Sequence, residues 1–493
     1  MIDDTGDTAE GEVDPEVARL AEEIRLRRTE ANLSHAQLAA EIGYSRQYLS
    51  LAERPRKGLA SSELIRALDG ALHSGGALIA LRERAAVARQ TRRRAITGVA
   101  RIDVPTLTSS TRGHGDTVEV GPDVDTEFSV HAPAGRFFAG TAIAAKAYPA
   151  VDDGRLLATV PAGFAEDAFL RRPRRGLVIG ANHGGASASL YGLDTRHVRR
   201  RLAGAPGQTR LLMTRAYVLD DLTLGLLWAV SNLEEALLDD DALLEDSRGQ
   251  LAAYEDLRRS AVGREIAADL AMVSRMWLGS LFCANHILRN TGTLAGAPVF
   301  WTREQRGEEA STWLLFTHKY TYLRQSSQSA TRTFCVPRSA VTESSPPERV
   351  LLFLTAALMA SFDVTVHVTT EPEYAALPGF VFDGRRHAIV ANWVGADGVW
   401  QVDVTDATAV VREFADASDY ARAHSVMTGD TPGERLHTLA DYLELDWSWL
   451  VRRCAELGEY GSAGLVAPRS RLLSTEGIDR ACRFVATVAD KTR

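Results

Sequence analysis

Few of the features that announce chemistry are present in this sequence. Its four cysteines, Cys283, Cys335, Cys454 and Cys482, are widely scattered and none forms a C-x-x-C pair. That spacing gives no support to a structural zinc site, and a chain this long needs no disulfide framework, so buried, reduced thiols are expected. The longest apolar run, Val350 to Phe362, is about 13 residues, short of the ~20 that a membrane helix needs. H-E-x-x-H, G-x-S-x-G and the Walker lysine pattern are all missing. Their absence leaves zinc-protease, serine-hydrolase and P-loop chemistry without a signal. The chain shows no internal repeat and no low-complexity tract. Its N-terminus is acidic rather than basic and apolar, so no secretion signal is expected there.

What is there is ordinary for a globular protein. Of 493 residues, 45% are apolar and 24% charged, and the net charge is −8. Two to four domains are expected from such a length. The charge is uneven. Residues 1–14 carry six acids and no base, whereas Pro15 to Arg94 holds 15 Lys and Arg against 9 Asp and Glu. A basic stretch in an acidic chain is where a nucleic-acid footprint is expected.

Pattern and turn residues divide the chain further. Residues 1–14 read as a disordered acidic tail, 15–90 as helical, and 91–126 as a linker rich in turn residues that opens with Arg92-Arg93-Arg94. Residues 127–297 read as mixed and mainly helical. They hold strand-like runs at Phe128–His131, Arg155–Val160 and Leu177–Gly180, then a long helical stretch from Asp220 to about Asn290. Residues 298–493 read as α+β. Strands are expected at Val299–Thr302, Thr333–Val336, Val364–Val368, Gly379–Phe382, Ile389–Val394 and Val399–Val404, with one helix, Glu348–Ser361, among them. Four helices, Val410–His424, Pro432–Leu443, Trp447–Glu456 and Thr475–Lys491, close the chain. The fold class is therefore multidomain, an all-α N-terminal domain followed by a mixed α/β (α+β) region.

The helical N-terminal stretch is the most specific part. Leu20 and Ile24 give helix 1, about Pro15–Asn32, a buried stripe. Ser34-x-x-Gln37 is a capping box that opens helix 2, with Leu38, Ala39 and Ile42 facing inward and Gly43 ending it. Ser45 is the expected N-cap of helix 3, whose Leu49 and Ala52 face the core. Arg46, Gln47, Tyr48 and Ser50 lie on or near its other face, close to the end that enters a major groove. Arginine pairs bidentately with guanine and glutamine with adenine, so Arg46 and Gln47 suit base reading. Arg54, Arg56 and Lys57 in the next loop suit phosphate contact. Ser61 or Ser62 starts helix 4, with Ile65, Leu68 and Leu72 apolar.

The run Leu33-Ser34-x-x-Gln37-Leu38-Ala39-x-x-Ile42-Gly43-Tyr44-Ser45, followed by Tyr48-Leu49-Ser50 and Glu53, resembles the lambda-repressor-like, Xre-type helix-turn-helix family. The resemblance covers about 60 residues. It implies an ion pair between Glu53 and Arg28 of helix 1. It also places the family's DNA-contacting positions on His35, Tyr44, Ser45, Arg46, Gln47 and Ser50. Two departures stand out. His35 occupies a position that is often glutamine, and Arg54-Pro55-Arg56-Lys57-Gly58 delays the usual glycine. Both bear on which operator is read.

The larger remainder carries weak signals. Gly180 to Ser187 is a glycine-rich turn after a strand, which can bring amides to a phosphate but is more often an ordinary turn. His286 and the pair His318-Lys319 lie in helical contexts, where structural histidines are commoner than ligands. Asp239-Asp240-Asp241 reads as a helix end rather than a cation site. Trp228, Trp277, Trp301, Trp313, Trp393 and Trp400 are spread through this part and can line a small-molecule pocket, although core packing is the commoner use. Leu377 to Trp393 reads as a hairpin turning at Asp383-Gly384. The overall layout resembles the large one-component regulators of high-GC bacteria.

These observations lead to a cytoplasmic transcription regulator. It is expected to bind double-stranded DNA as a homodimer and to sense a small-molecule or protein signal through its C-terminal region. No cofactor, metal, membrane span or enzymatic activity is expected. The alternatives are a DNA-linked enzyme with an unrecognised catalytic region, or a protein-interaction scaffold.

Overall fold

The structure, a computed structural model, describes residues 15–44, 46–54, 60–82, 84–85, 127–182, 189–205, 207–326, 330–384, 386–394 and 400–490. The tail at 1–14 and the linker at 91–126 lie outside the described residues. The described residues fall into two compact units, one within residues 1–100 and one within 101–493.

The first unit is all helix. Its elements are α1 (Pro15–Glu30), α2 (His35–Ile42), α3 (Arg46–Ala52), α4 (Ser62–Ala71) and a short α5 at residues 77–82. Leu20, Ile24, Leu38, Ala39, Leu49, Leu64, Ile65, Leu68 and Leu78 form one core. Ile42 and Ala52 are only partly buried at its edge. Two left-handed residues make the corners between the first three helices. Asn32 (φ 55°) turns α1 into α2, and Gly43 (φ 73°) ends α2. Both residue types tolerate that conformation, for which a β-branched residue would be strained.

The second unit holds two sheets around a layer of buried helices. In the first sheet β1 (Glu127–Ala132), β2 (Thr141–Asp152), β3 (Leu156–Thr159), β4 (Gly176–Asn182), β5 (Ser189–Asp194) and β6 (Arg210–Leu212) are ordered β5-β4-β2-β3-β6, with β1 also paired to β2. The twelve-residue β2 is shared, antiparallel to β1 along its first half and to β3 at its end. The helix α6 (Thr195–Leu202) follows β5, capped by the Asp194 side chain.

Next come α7 (Asp221–Asp239), α8 (Asp241–Glu255), β7 (Ser260–Val262) and α9 (Met272–Asn290). The long helix expected from Asp220 to about Asn290 is therefore three helices and a strand. Asp240 is the breaking point. It caps the end of α7 and accepts the Ala271 amide on Oδ2 at 2.8 Å. The strand β7 completes the second sheet by pairing with β13 (Trp400–Thr405). The stretches 127–297 and 298–493 thus share a sheet, and most of their buried apolar residues form one cluster from Phe128 to Val488, with a smaller one around Trp301, Phe380 and Phe414.

The rest of the second sheet is β8 (Val299–Thr302), β9 (Thr331–Cys335), β10 (Thr365–Thr369), β11 (Phe380–Phe382) and β12 (Ala388–Asn392), ordered β10-β9-β8-β11-β12-β13-β7. Strands β8, β9 and β10 are parallel, and parallel neighbours need long crossovers. Those crossovers are α10 (Gly307–Leu315) with α11 (Thr317–Ser326), and α12 (Arg338–Glu343) with α13 (Pro346–Ala360). Of these, α13 matches the expected helix Glu348–Ser361, and α11 carries His318 and Lys319, which were read in a helical context. Every residue of α10 is buried, so the polar–apolar periodicity that marks a surface helix gives no signal for it. The apolar run of α13 is likewise a buried helix, inaccessible from Val350 to Met359. Strands β11 to β13 form an antiparallel meander, with the expected hairpin between β11 and β12.

The closing helices α14 (Thr408–Ala423), α15 (Pro432–Tyr442), α16 (Trp447–Tyr460), α17 (Ala463–Val466) and α18 (Glu476–Asp490) complete the unit. Phe414 of α14 stacks on Phe380 of β11 at 3.9 Å between ring centroids. A buried ion cluster fastens the final segment. Arg175 holds Asp194 at 2.6 Å and Glu234 at 2.9 Å and donates to the Ala467 carbonyl, while Arg469 lies 3.9 Å from both acids.

Candidate functional site

The helical first unit presents α3 through a fixed set of hydrogen bonds. Ser34 accepts the Gln37 amide, and the Gln37 side chain accepts the Ser34 amide at 2.9 Å, so the expected capping box sets the start of α2. Arg28 of α1 donates from Nε to Glu53 Oε1 at 2.6 Å and from Nη2 to Glu53 Oε2 at 3.0 Å. Its third nitrogen, Nη1, donates to the Leu33 carbonyl at 2.9 Å. One guanidinium therefore ties α1 both to the turn before α2 and to the residue after α3. The side chains of the pair are 12% and 7% exposed, sheltered enough for this planar, two-pronged pairing to hold a geometry.

His35 is where the structure adds to the sequence reading. Its Nε2 lies 2.9 Å from Glu53 Oε2, so its ring joins the Arg28–Glu53 pair while staying about a third exposed. Burial raises the Glu53 carboxyl, and the hydrogen bonds from Arg28 and His35 outweigh it, leaving the group below its ordinary value. The departure from glutamine at position 35 thus supplies a second partner to the residue that fixes α3.

Arg46 is exposed at the first helical position of α3, and Arg54 is exposed just after it. Ser50 and Tyr44 are half-buried. Gln47 lies on α3, one residue after Arg46. Ser45, Arg56 and Lys57 lie outside the described residues. The described part of the set therefore gathers around the N-terminal turn of α3 and the turn that precedes it.

Asp69 escaped the sequence reading. It is buried, accepts the Ser74 hydroxyl, and receives the amides of Gly76 at 2.7 Å and Leu78 at 3.1 Å. Those amides open α5, so a carboxylate of α4 anchors the next helix. Burial pushes the Asp69 carboxyl up, and the Ser74 and backbone donors bring it below its ordinary value. The signal in the sequence was an acid near the end of α4, six residues before the Gly75-Gly76 pair.

In the second unit, Gly180 is a packing glycine within β4, where a Cβ would meet Ala150 and Met213 at 3.3 Å, and residues 183–188 of the expected turn lie outside the described residues. Asp239, Asp240 and Asp241 end α7 and begin α8 as expected, with Arg174 and Arg471 beside the outer two. His286 is buried in α9. In α11 Lys319 is buried and His318 half-buried, and Ser280 lies 2.8 Å from His318 Nε2. Trp301, Trp313 and Trp393 line a cavity beside Lys319. Among the described residues no group of His, Cys, Asp and Glu is placed to hold a metal ion, and no helix is long and apolar enough to cross a membrane.

No curated protein and no solved structure matches the chain. Residues 19–82, about an eighth of the sequence, match the family model described as a helix-turn-helix domain, and with the three-helix geometry above this makes the N-terminal unit a helix-turn-helix domain.

Proposed function

We propose that this chain is a sequence-specific transcription regulator that binds duplex DNA through α3, dimerises, and takes its signal through the second unit. The observation that carries the reading is the α3 site. The Arg28–Glu53–His35 cluster fixes the helix from behind, and Arg46 stands exposed at its leading turn. An arginine there can pair bidentately with guanine, and Gln47 beside it suits adenine. Arg54, with Arg56 and Lys57, suits the phosphate backbone. One such domain makes few base contacts, each good pair discriminating by ~1–3 kcal/mol, so useful specificity favours two copies on half-sites about one helical turn apart. The second unit, far larger than DNA binding requires, is then the part that dimerises and senses, without turnover.

Genome-wide mapping of the DNA bound by the full chain tests this. A recurrent two-fold motif with half-sites one turn apart is the expected result. Bound fragments sharing no sequence would contradict it.

A further inference from the structure

Two of the ion clusters buried among the described residues of the second unit differ in a way that matters. Around Arg175 the charges balance, two arginines against Asp194 and Glu234. Around Lys319 they do not. Lys319 and Arg332 are each 2% exposed, and Glu304 is the only carboxylate among the described residues that line their cavity. Lys319 Nζ donates to Thr312 Oγ1 at 2.7 Å and lies 3.3 Å from Glu304 Oε1. Glu304 Oε1 also accepts the Trp313 indole at 2.9 Å. Arg332 carries no carboxylate partner among the described residues. Its guanidinium lies 4.3 Å from the Phe300 ring centroid and 4.6 Å from that of Trp313, and its Nε has no hydrogen-bond partner among the described residues. Lys319 lies 4.1 Å from the Trp313 centroid and 4.7 Å from that of Trp393.

Ring faces offset part of the cost of a buried cation, but burying a charge without a counter-ion costs several kcal/mol. Burial already lowers the Lys319 ammonium to about 8 despite Glu304 beside it. These same side chains line a cavity of about 60 Å³, together with Arg303, which adds a third positive charge and is held by Asn392 Oδ1 at 3.1 Å. Even with the buried Glu309 carboxylate beside Arg303 counted, three cations face two carboxylates, and with the aromatic walls they make a site complementary to negative charge.

We propose that this cavity is a ligand site for the oxyanion head of a small molecule, a carboxylate or phosphate group of about four to six non-hydrogen atoms, the number that ~60 Å³ holds at 10–15 Å³ each. The anion supplies the charge that Glu304 leaves uncompensated, with Lys319 and Arg332 as its principal partners. The proposal rests on the sensing half of the function proposed above and names the place where a signal would enter.

Tryptophan fluorescence of the full chain is titrated with sodium acetate and, separately, with sodium phosphate, at an ionic strength held constant with sodium chloride. A saturable change is expected with at least one of them, and which one responds separates a carboxylate from a phosphate ligand. Fragments this small bind with dissociation constants of ~0.05–10 mM. Arg332→Gln weakens binding at least tenfold. Glu304→Gln, which keeps the acceptor for the Trp313 indole and removes the competing charge, tightens it by about tenfold. The two variants move in opposite directions, so a loss of fold in one leaves the other decisive. No saturable change with either anion, or an unaltered constant in Glu304→Gln, overturns the site. The same titrations are repeated with a bound DNA duplex. Anion binding that leaves DNA affinity unchanged keeps the site and contradicts the sensing role.

Discussion

Glu53 draws together three elements of the helix-turn-helix through two neighbours, Arg28 and His35. Removing Arg28 leaves a sheltered carboxylate with a single partner. Arg28→Ala is expected to cost the unit about 2 kcal/mol, below the 3–5 typical of fully buried pairs because the cluster is partly exposed. Hydrogen exchange of residues 15–82 in the full chain reads this as a fall in protection of roughly thirtyfold. The pH dependence has a definite sign. The folded Glu53 and Asp69 carboxyls lie below their ordinary values of 4.5 and 3.8, so each stabilises the fold above those values. That contribution is lost as pH falls through the folded values. Protection of the unit should hold from pH 7 to about 5 and decline below 4.5, and Glu53→Gln should flatten part of the decline. At this scale the family pattern made the Arg28–Glu53 pair legible. The part played by His35 was not, because a side chain's partner depends on a turn geometry that spacing alone does not fix.

Among elements, those with a continuous apolar run or a clear polar–apolar pattern were readable, and α10, which has neither, was not. Of the thirteen strands among the described residues, nine fall close to their expected places, from β1 at Glu127–Ala132 to β13 at Trp400–Thr405, because apolar runs bounded by turns mark them, whereas β2, β5, β6 and β7 were not anticipated. The helix α10 was lost because it is buried on all sides, whereas the break between α7 and α8 was marked by Asp239-Asp240-Asp241. The short α5 depends on a single anchor. Asp69→Ala removes the carboxylate that receives the Gly76 and Leu78 amides. It is expected to cost about 2 kcal/mol, in the range for charged hydrogen bonds at a helix start. Exchange should rise first at residues 77–82 and less over α1. Leu354→Ala in the inaccessible middle of α13 leaves a cavity among packed helices and should cost ~2–5 kcal/mol, read as a lower thermal midpoint of the second unit.

For the whole molecule, the sequence separated the DNA-binding end from the rest on charge and pattern, and the family match at residues 19–82 agrees with it. The cavity beside Lys319 was beyond its reach. Its walls come from β8, β9, β11, β12, α9, α10 and α11, which lie up to about a hundred residues apart and meet only through the order of the second sheet. His318-Lys319 drew notice as a pair, but Arg332 and Glu304 acquire meaning only once β9 lies beside β8. A DNA-binding role also has a bulk signature. Each phosphate contact contributes about −0.9 to the slope of log affinity against log salt, so Arg54→Ala should lower that slope by about one while leaving sequence preference intact.

The central claim is that α3 reads base sequence. It is tested most directly by fluorescence anisotropy of a duplex selected by the full chain, titrated at one salt concentration with the wild type and with the Arg46→Ala Gln47→Ala variant. The account predicts that the variant binds the selected duplex at least tenfold more weakly and discriminates less between it and a scrambled one. Equal affinity and equal discrimination in the two proteins would contradict it.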